Sequence, residues 1–150
     1  MLSRVTERLT PKTTMAKNQN KLEQLDIYKE AFPFSVYLCR VVKNFDRAYK
    51  FIVGDDIIKA TNKMRALIVK ANNQMNKTKA AEYVTDCLSE VDIIDDLTSL
   101  ALELGLMSIE QKAICDTHIG EMRSHGKRWR KYFQRAGESA GSDREPAESL

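Results

Sequence analysis

The sequence predicts an all-α protein, an up-down-up-down four-helix bundle, and three observations carry that expectation. Only 6 Gly and 3 Pro occur in 150 residues, too few turn formers for a fold of many short strands. From residue 21 to 135 the apolar residues recur at helical spacing, the pattern of an amphipathic face. The stretches between those segments are short, which forces consecutive helices to run antiparallel. The length suits one domain with a sizeable core.

The first segment, residues 21–45, is predicted to turn Leu22, Leu25, Phe32, Val36, Cys39 and Val42 inward. Pro33 should kink it or mark a boundary, because proline lacks the backbone donor. The second, residues 47–73, carries Ile57, Met64, Leu67, Ile68 and Ala71 on its apolar side. Gly54 lies inside it at a cost of about 1 kcal/mol relative to Ala, which implies that something packs closely there. Thr78 is placed as the N-cap of the third helix. That helix should end at Leu104, with Gly105 in the C′ position that favours a left-handed backbone. Ser108-Ile109-Glu110-Gln111 has the capping-box pattern that opens the last helix, which is expected to run to about Gln134. Residues 1–20 read as a flexible arm, within which Met15 offers a second start. Residues 136–150, rich in Gly, Ser and Glu, read as a disordered acidic tail.

The third helix has two apolar stripes. Val84, Leu88, Val91, Ile94, Ala101 and Leu102 share one broad face, and Ile93, Leu97, Leu100 and Leu104 lie roughly opposite. A core needs only one of them. The second is expected to bury itself against other copies of the chain. The alternative is that this helix is the most enclosed of the four.

The formal net charge is +3 at pH 7, and its placement matters more than its size. The segment MRSHGKRWRKYFQR, residues 122–135, holds the densest group of cations. Arg123, Lys127, Arg130 and Lys131 fall within an arc of about 100°, with Arg128 and Arg135 at its edge. His118, Met122, Trp129 and Phe133 fall on the other side. No acid lies between Met122 and Gln134, so the arc is expected to stay unneutralised. Cations one helical turn apart can meet successive phosphates and release counterions, and Arg adds a bidentate geometry. Lys59, Lys63 and Lys70 form a further stripe on the second helix. The plainer alternative is a solvated face, since cations are favoured near a helix C-terminus in any case.

Other chemistry is not indicated. Glu82, Asp86, Glu90, Asp92, Asp95, Asp96 and Glu103 make the third helix acidic. The adjacent Asp95 and Asp96 diverge by about 100° and read as part of a solvated face, one that could meet a basic helix of a neighbouring subunit. His118 and His125 are about 10 Å apart along a helix, too far to share a metal, and read as histidines at the edge of the core. Phosphate-binding loops, nucleophile elbows and zinc-protease signatures are all missing, so no catalytic residue, metal or cofactor is expected. Cys39, Cys87 and Cys115 form no paired motif and read as buried thiols of a reducing compartment. No apolar run approaches about 18 residues, and the first residues lack the apolar stretch of a signal peptide. A cytoplasmic protein with no membrane contact is the expectation.

Two segments resemble a known family. FDRAYKFIVGDDI, residues 45–57, is similar to the F-P-R-x-Y-R-F-x-L-G-x-x-I stretch of the accessory variability determinant (Avd) proteins of diversity-generating retroelements. Phe45, Arg47, Tyr49, Phe51, Gly54 and Ile57 match it, and Asp46 stands where many members have Pro. LELGLMSIEQ, followed by GKRW, resembles the family's loop and terminal helix, with Lys127 and Arg128 where members often have two glycines before the Trp. The resemblance implies a four-helix bundle assembled as a ring-like homopentamer. It also implies a non-enzymatic accessory subunit that binds nucleic acid and the element's reverse transcriptase, supporting mutagenic cDNA synthesis from a template-repeat RNA. The competing reading is a structural bundle of the ribosomal-insertion type, whose basic helix holds an acidic protein.

Overall fold

The computed structural model describes residues 20–148, with side chains from 22 to 139. The predicted arm lies outside them except for Asn20. Helix α1 (Asn20–Gln24) is followed by α2 (Asp26–Lys43), α3 (Arg47–Tyr49), a π-helical turn (Lys50–Gly54), α4 (Asp55–Asn73), α5 (Lys77–Glu103) and α6 (Ile109–Glu148). No strand occurs among the described residues, so the all-α class holds. Helix α5 packs along both α4 and α6, and α2 packs on the same two helices. Phe34, Leu38, Ile57, Met64, Ile68, Val91, Ile94, Ile119 and Met122 are wholly enclosed between them. None of these helices is long and apolar enough to cross a membrane.

The rotation of α2 differs from the sequence expectation. Ile27, Ala31, Phe34, Leu38, Val41 and Val42 are buried, whereas Phe32 is 49% exposed and Cys39 lies at the surface. Two apolar stripes run side by side on this helix, and the core takes the one with the unbroken alternation of three and four residues. The helix is interrupted at Leu25, whose backbone is extended (φ −68°, ψ 130°), and α2 continues through Pro33. Pro33 is exposed, so the carbonyl its ring leaves unpaired can turn to water.

Gly54 behaves as expected. A Cβ built on it would lie 2.9 Å from Val42 Cγ1 and 3.6 Å from Phe45 Cδ2, so only hydrogen fits between the end of α2 and the start of α4. The π-turn inserts extra backbone here and shifts the phase. It leaves Val53 and Gly54 buried and turns Phe51 and Ile52 outward, at 65% and 62% exposure.

Helix α5 begins two residues earlier than predicted. Asn76, not Thr78, is its N-cap, and its side chain accepts from the Lys79 amide at 3.1 Å. At the far end Gly105 takes φ +75°, the Leu106 amide donates to Ala101 O (2.9 Å) and the Gly105 amide to Leu102 O (3.0 Å), a Schellman closure. The capping box then forms reciprocally. The Ser108 amide donates to Gln111 Oε1 (2.9 Å) and the Gln111 amide to Ser108 Oγ (3.1 Å). Helix α6 continues past Gln134 to Glu148. Gly137 supports this extension, because its missing side chain lets α6 approach Thr78 at the start of α5 (a Cβ would sit 3.0 Å from Thr78 Oγ1).

Candidate nucleic-acid interface

The face that α6 buries is set by Cys115, Ile119, Met122 and Phe133. Gly126 lies in the same row, and a Cβ there would come within 2.5 Å of Leu88 Cδ2. This glycine therefore leaves the space that the Leu88 side chain of α5 fills. Trp129 stands beside it, with its ring 5.0 Å from that of Phe133, so the predicted inward cluster forms. His118 completes it at the α2 side, stacked on Phe34 at 4.9 Å and paired with Glu30 Oε1 at 2.9 Å.

With that face fixed, the cations of α6 divide into two groups. The first lies along the seam with α5. Arg123 Nη2 meets Asp92 Oδ1 at 2.9 Å and Asp95 Oδ2 at 3.0 Å. Lys112, only 8% exposed, reaches Asp95 (2.9 Å), Asp116 (2.7 Å) and Thr98 Oγ1 (2.9 Å). Arg130 donates to Thr85 Oγ1 at 3.3 Å. The expectation of an unneutralised arc is thus corrected for Arg123. Its acids come from α5 of the same chain, where a scan along the last helix alone could not find them.

The pKa shifts along the seam follow. The hydrogen bond from Lys112 holds the Asp95 carboxyl below the usual range against the effect of burial, helped by Arg123. Burial pulls the Lys112 ammonium down, but its bonds to Asp116 and Asp95 outweigh this and leave it raised. The Arg123 guanidinium is raised by its bond to Asp92 and then by that to Asp95.

The second group points away from the core. Lys127, Arg128, Lys131 and Arg135 are exposed, and no carboxylate among the described residues forms an ion pair with them. Arg128 is braced rather than neutralised. Its Nη1 donates to Ser124 Oγ at 2.7 Å and its Nη2 lies 2.6 Å from His125 Nδ1, while His125 Nε2 faces Glu121 at 3.5 Å. Between these cations stands Tyr132, 59% exposed. Arg128, Lys131, Tyr132 and Arg135 border an open concavity of about 440 Å³. Arg128 also borders a smaller one of about 220 Å³, with Trp129, His125, Asp26 and Leu25.

The lysines of α4 do not join this group. Lys63 pairs with Glu90 at 3.7 Å, Lys70 sits 6.0 Å from the Tyr83 ring centre, and Lys59 is exposed beside a hollow that also contains Ile93 and Leu97. The outer face of α5, with exposed Glu82, Asp86 and Asp96, separates them from α6. Toward its C-terminal end that face turns apolar. Ile93 (45%), Leu100 (44%) and Leu104 (39%) are exposed, and Leu97 is half-buried.

Sequence reasoning missed Lys112, Gly126 and Tyr132. Lys112 and Asp116 stand four apart, a visible pairing signal. Gly126 interrupts an otherwise helix-forming run as Gly54 does, and calls for the same inference. Tyr132 gave no signal of its own until the face of α6 was known. Of the resemblance residues, Phe45, Gly54 and Ile57 are buried, whereas Arg47, Tyr49 and Phe51 are at the surface. Among the described residues no cluster of three or more His, Cys, Asp or Glu could hold a metal ion. Comparison with protein families, with characterised proteins and with solved structures finds no match to this chain.

Proposed function

We propose that this chain is a non-enzymatic nucleic-acid-binding accessory subunit of a diversity-generating retroelement reverse transcriptase, working in the cytoplasm on template-repeat RNA and mutagenic cDNA synthesis. The observation that carries the binding half of this reading is the exposed, acid-free row Lys127, Arg128, Lys131 and Arg135 on α6. Such a row lowers its own repulsion by meeting phosphates and releasing their counterions. The reverse-transcriptase half rests on the Phe45–Ile57 and Gly126–Trp129 resemblance. We read the arrangement as an up-down-up-down four-helix bundle, because α4 and α6 each pack on α2 and α5. The exposed Ile93, Leu100 and Leu104 with Leu97 support assembly of several copies, in the family as a homopentamer.

The test is RNA affinity as a function of salt for wild type and for the variant with Lys127, Arg128, Lys131 and Arg135 all replaced by Glu. Four lost phosphate contacts should flatten the salt slope by about 3. An unchanged slope and affinity would remove the assignment. An acidic-protein partner, the competing reading, predicts no measurable RNA affinity in the wild type. For assembly, sedimentation of the wild type against Leu97→Glu/Leu100→Glu decides, and a monomeric wild type would refute it.

A further inference from the structure

We propose that this end of α6 takes single-stranded rather than duplex nucleic acid, with one base stacked on Tyr132, a neighbouring base in the cavity beside Trp129, and Arg128 on the phosphate between them. The inference rests on the polyanion reading above and adds what the cations alone do not specify. Tyr132 is 59% exposed and is braced from behind by the Phe133 ring, 5.4 Å away and tilted by 59°. Beyond that contact it makes no side-chain hydrogen bond among the described residues, and most of its ring faces solvent. An aromatic face set among cations is the platform on which a base stacks, and stacking is available only where the bases are unpaired.

The second element is the cavity of about 220 Å³ around Trp129. Leu25 and Ile27 give it apolar lining, Asp26 offers an acceptor, and His125 and Arg128 line it as well. This mixture suits a flat heteroaromatic ring with hydrogen-bonding edges. The third element is Arg128, which borders both hollows. Its guanidinium is already oriented by Ser124 and His125, so little freedom is lost when a phosphate docks. Tyr132 and Trp129 are three residues apart on one helix and therefore neighbours on its surface.

The test uses the full chain with four labelled probes of equal phosphate number, namely oligouridylate, oligothymidylate, an abasic phosphodiester strand and a duplex. Both base-bearing single strands should bind more tightly than the abasic strand and the duplex, and the tighter of the two names the natural sugar. Tyr132→Ala should weaken the base-bearing strands by about 5- to 30-fold and leave the abasic strand unchanged. Tyr132→Phe should restore the loss. Trp129 is the chain's only tryptophan, so quenching of its emission by the base-bearing strands alone would report a base in the smaller cavity. If duplex and abasic probes bind as well as the others and Tyr132→Ala changes nothing, the stacking proposal is overturned while the polyanion reading stands. If none of the four probes binds at low salt, the polyanion reading itself is overturned.

Discussion

Replacing Arg123 by Ala should destabilise the protein and leave nucleic-acid affinity nearly intact, whereas replacing Lys131 by Ala should do the reverse. Arg123 forms two ion pairs, with Asp92 and Asp95, and all three side chains are partly exposed (38%, 67% and 35%). Pairs of that exposure are each worth about 0.5–1 kcal/mol. The loss is capped because Asp95 keeps Lys112 at 2.9 Å and is not left as an orphaned charge, which would cost about 3–5 kcal/mol. The expected cost is therefore about 1–2 kcal/mol, including some packing of the Arg stem. In urea, followed by far-ultraviolet circular dichroism, the midpoint should fall by about 0.5–1 M. Lys131 pairs with no acid among the described residues, and its removal should stay within about 0.5 kcal/mol of wild type. If Arg123→Ala kept the wild-type midpoint and lost as much affinity as Lys131→Ala, the division of α6 into a seam and a free face would be wrong.

The same seam gives a pH dependence. Asp95 titrates below the usual carboxylate range in the fold, so its contribution is full above that range and is lost as pH falls through the lowered value. Lys112 titrates above the usual ammonium range, so its contribution is full below that range and is lost as pH rises through the raised value. Urea midpoints against pH should thus decline at both extremes, and Asp95→Asn should flatten the acid limb; an unaltered acid limb in that variant would contradict the assignment. The thiols should also separate. Burial pushes Cys87 up to about 12 and Cys115 up to about 11, so a disulfide reagent should label only Cys39 in the native protein and all three in urea. Gly126→Ala should destabilise by about 1–2 kcal/mol, because the clash with Leu88 exceeds the roughly 1 kcal/mol gained in helix propensity. Adding Leu88→Ala should cost less in the Gly126→Ala background than in wild type, and strict additivity would count against the close approach.

How much was legible in the sequence can be judged from particular residues. Local signals were read well. Gly105 at the end of α5, the Ser108–Gln111 box and the close packing at Gly54 each depend on a few neighbouring residues, and the structure forms all three. The core stripe of α5 was equally plain, since Val84, Leu88, Val91, Ile94 and Ala101 keep one phase for several turns. Rotation of α2 was not, because Phe32, Val36 and Cys39 form a second apolar stripe as convincing as the true one. Choosing between them needs the partner helices. The π-turn was invisible for a similar reason, since no residue type in Lys50–Gly54 demands an extra backbone unit. Lys59, Lys63 and Lys70 were assigned with the α6 cations on charge alone, and only tertiary placement shows α5 lying between them.

The position of α5 between α4 and α6 also lets the two proposed surfaces coexist. The α5 helix runs antiparallel to α6, with Thr85 beside Arg130 and Thr78 beside Gly137. The exposed cations and Tyr132 therefore flank the N-terminal half of α5. Ile93, Leu97, Leu100 and Leu104 occupy its C-terminal half, about 20 Å along the axis from Thr85 to Leu100. Exposed Phe51 and Ile52 precede α4, which is antiparallel to α5, and so fall near the same apolar end. Apolar and basic residues are thus segregated lengthwise, and covering one end need not bury the other. Acids on α5 separate further along the same logic. Asp92 and Asp95 neutralise the seam, while Glu82 and Asp86 stay exposed beside the cations, where they repel a polyanion that strays from the face of α6. A phosphate chain on this molecule is thereby confined to the strip from Lys127 to Arg135, and copies joined at their apolar ends would present that strip repeatedly, turning weak contacts into strong ones by raising effective concentration.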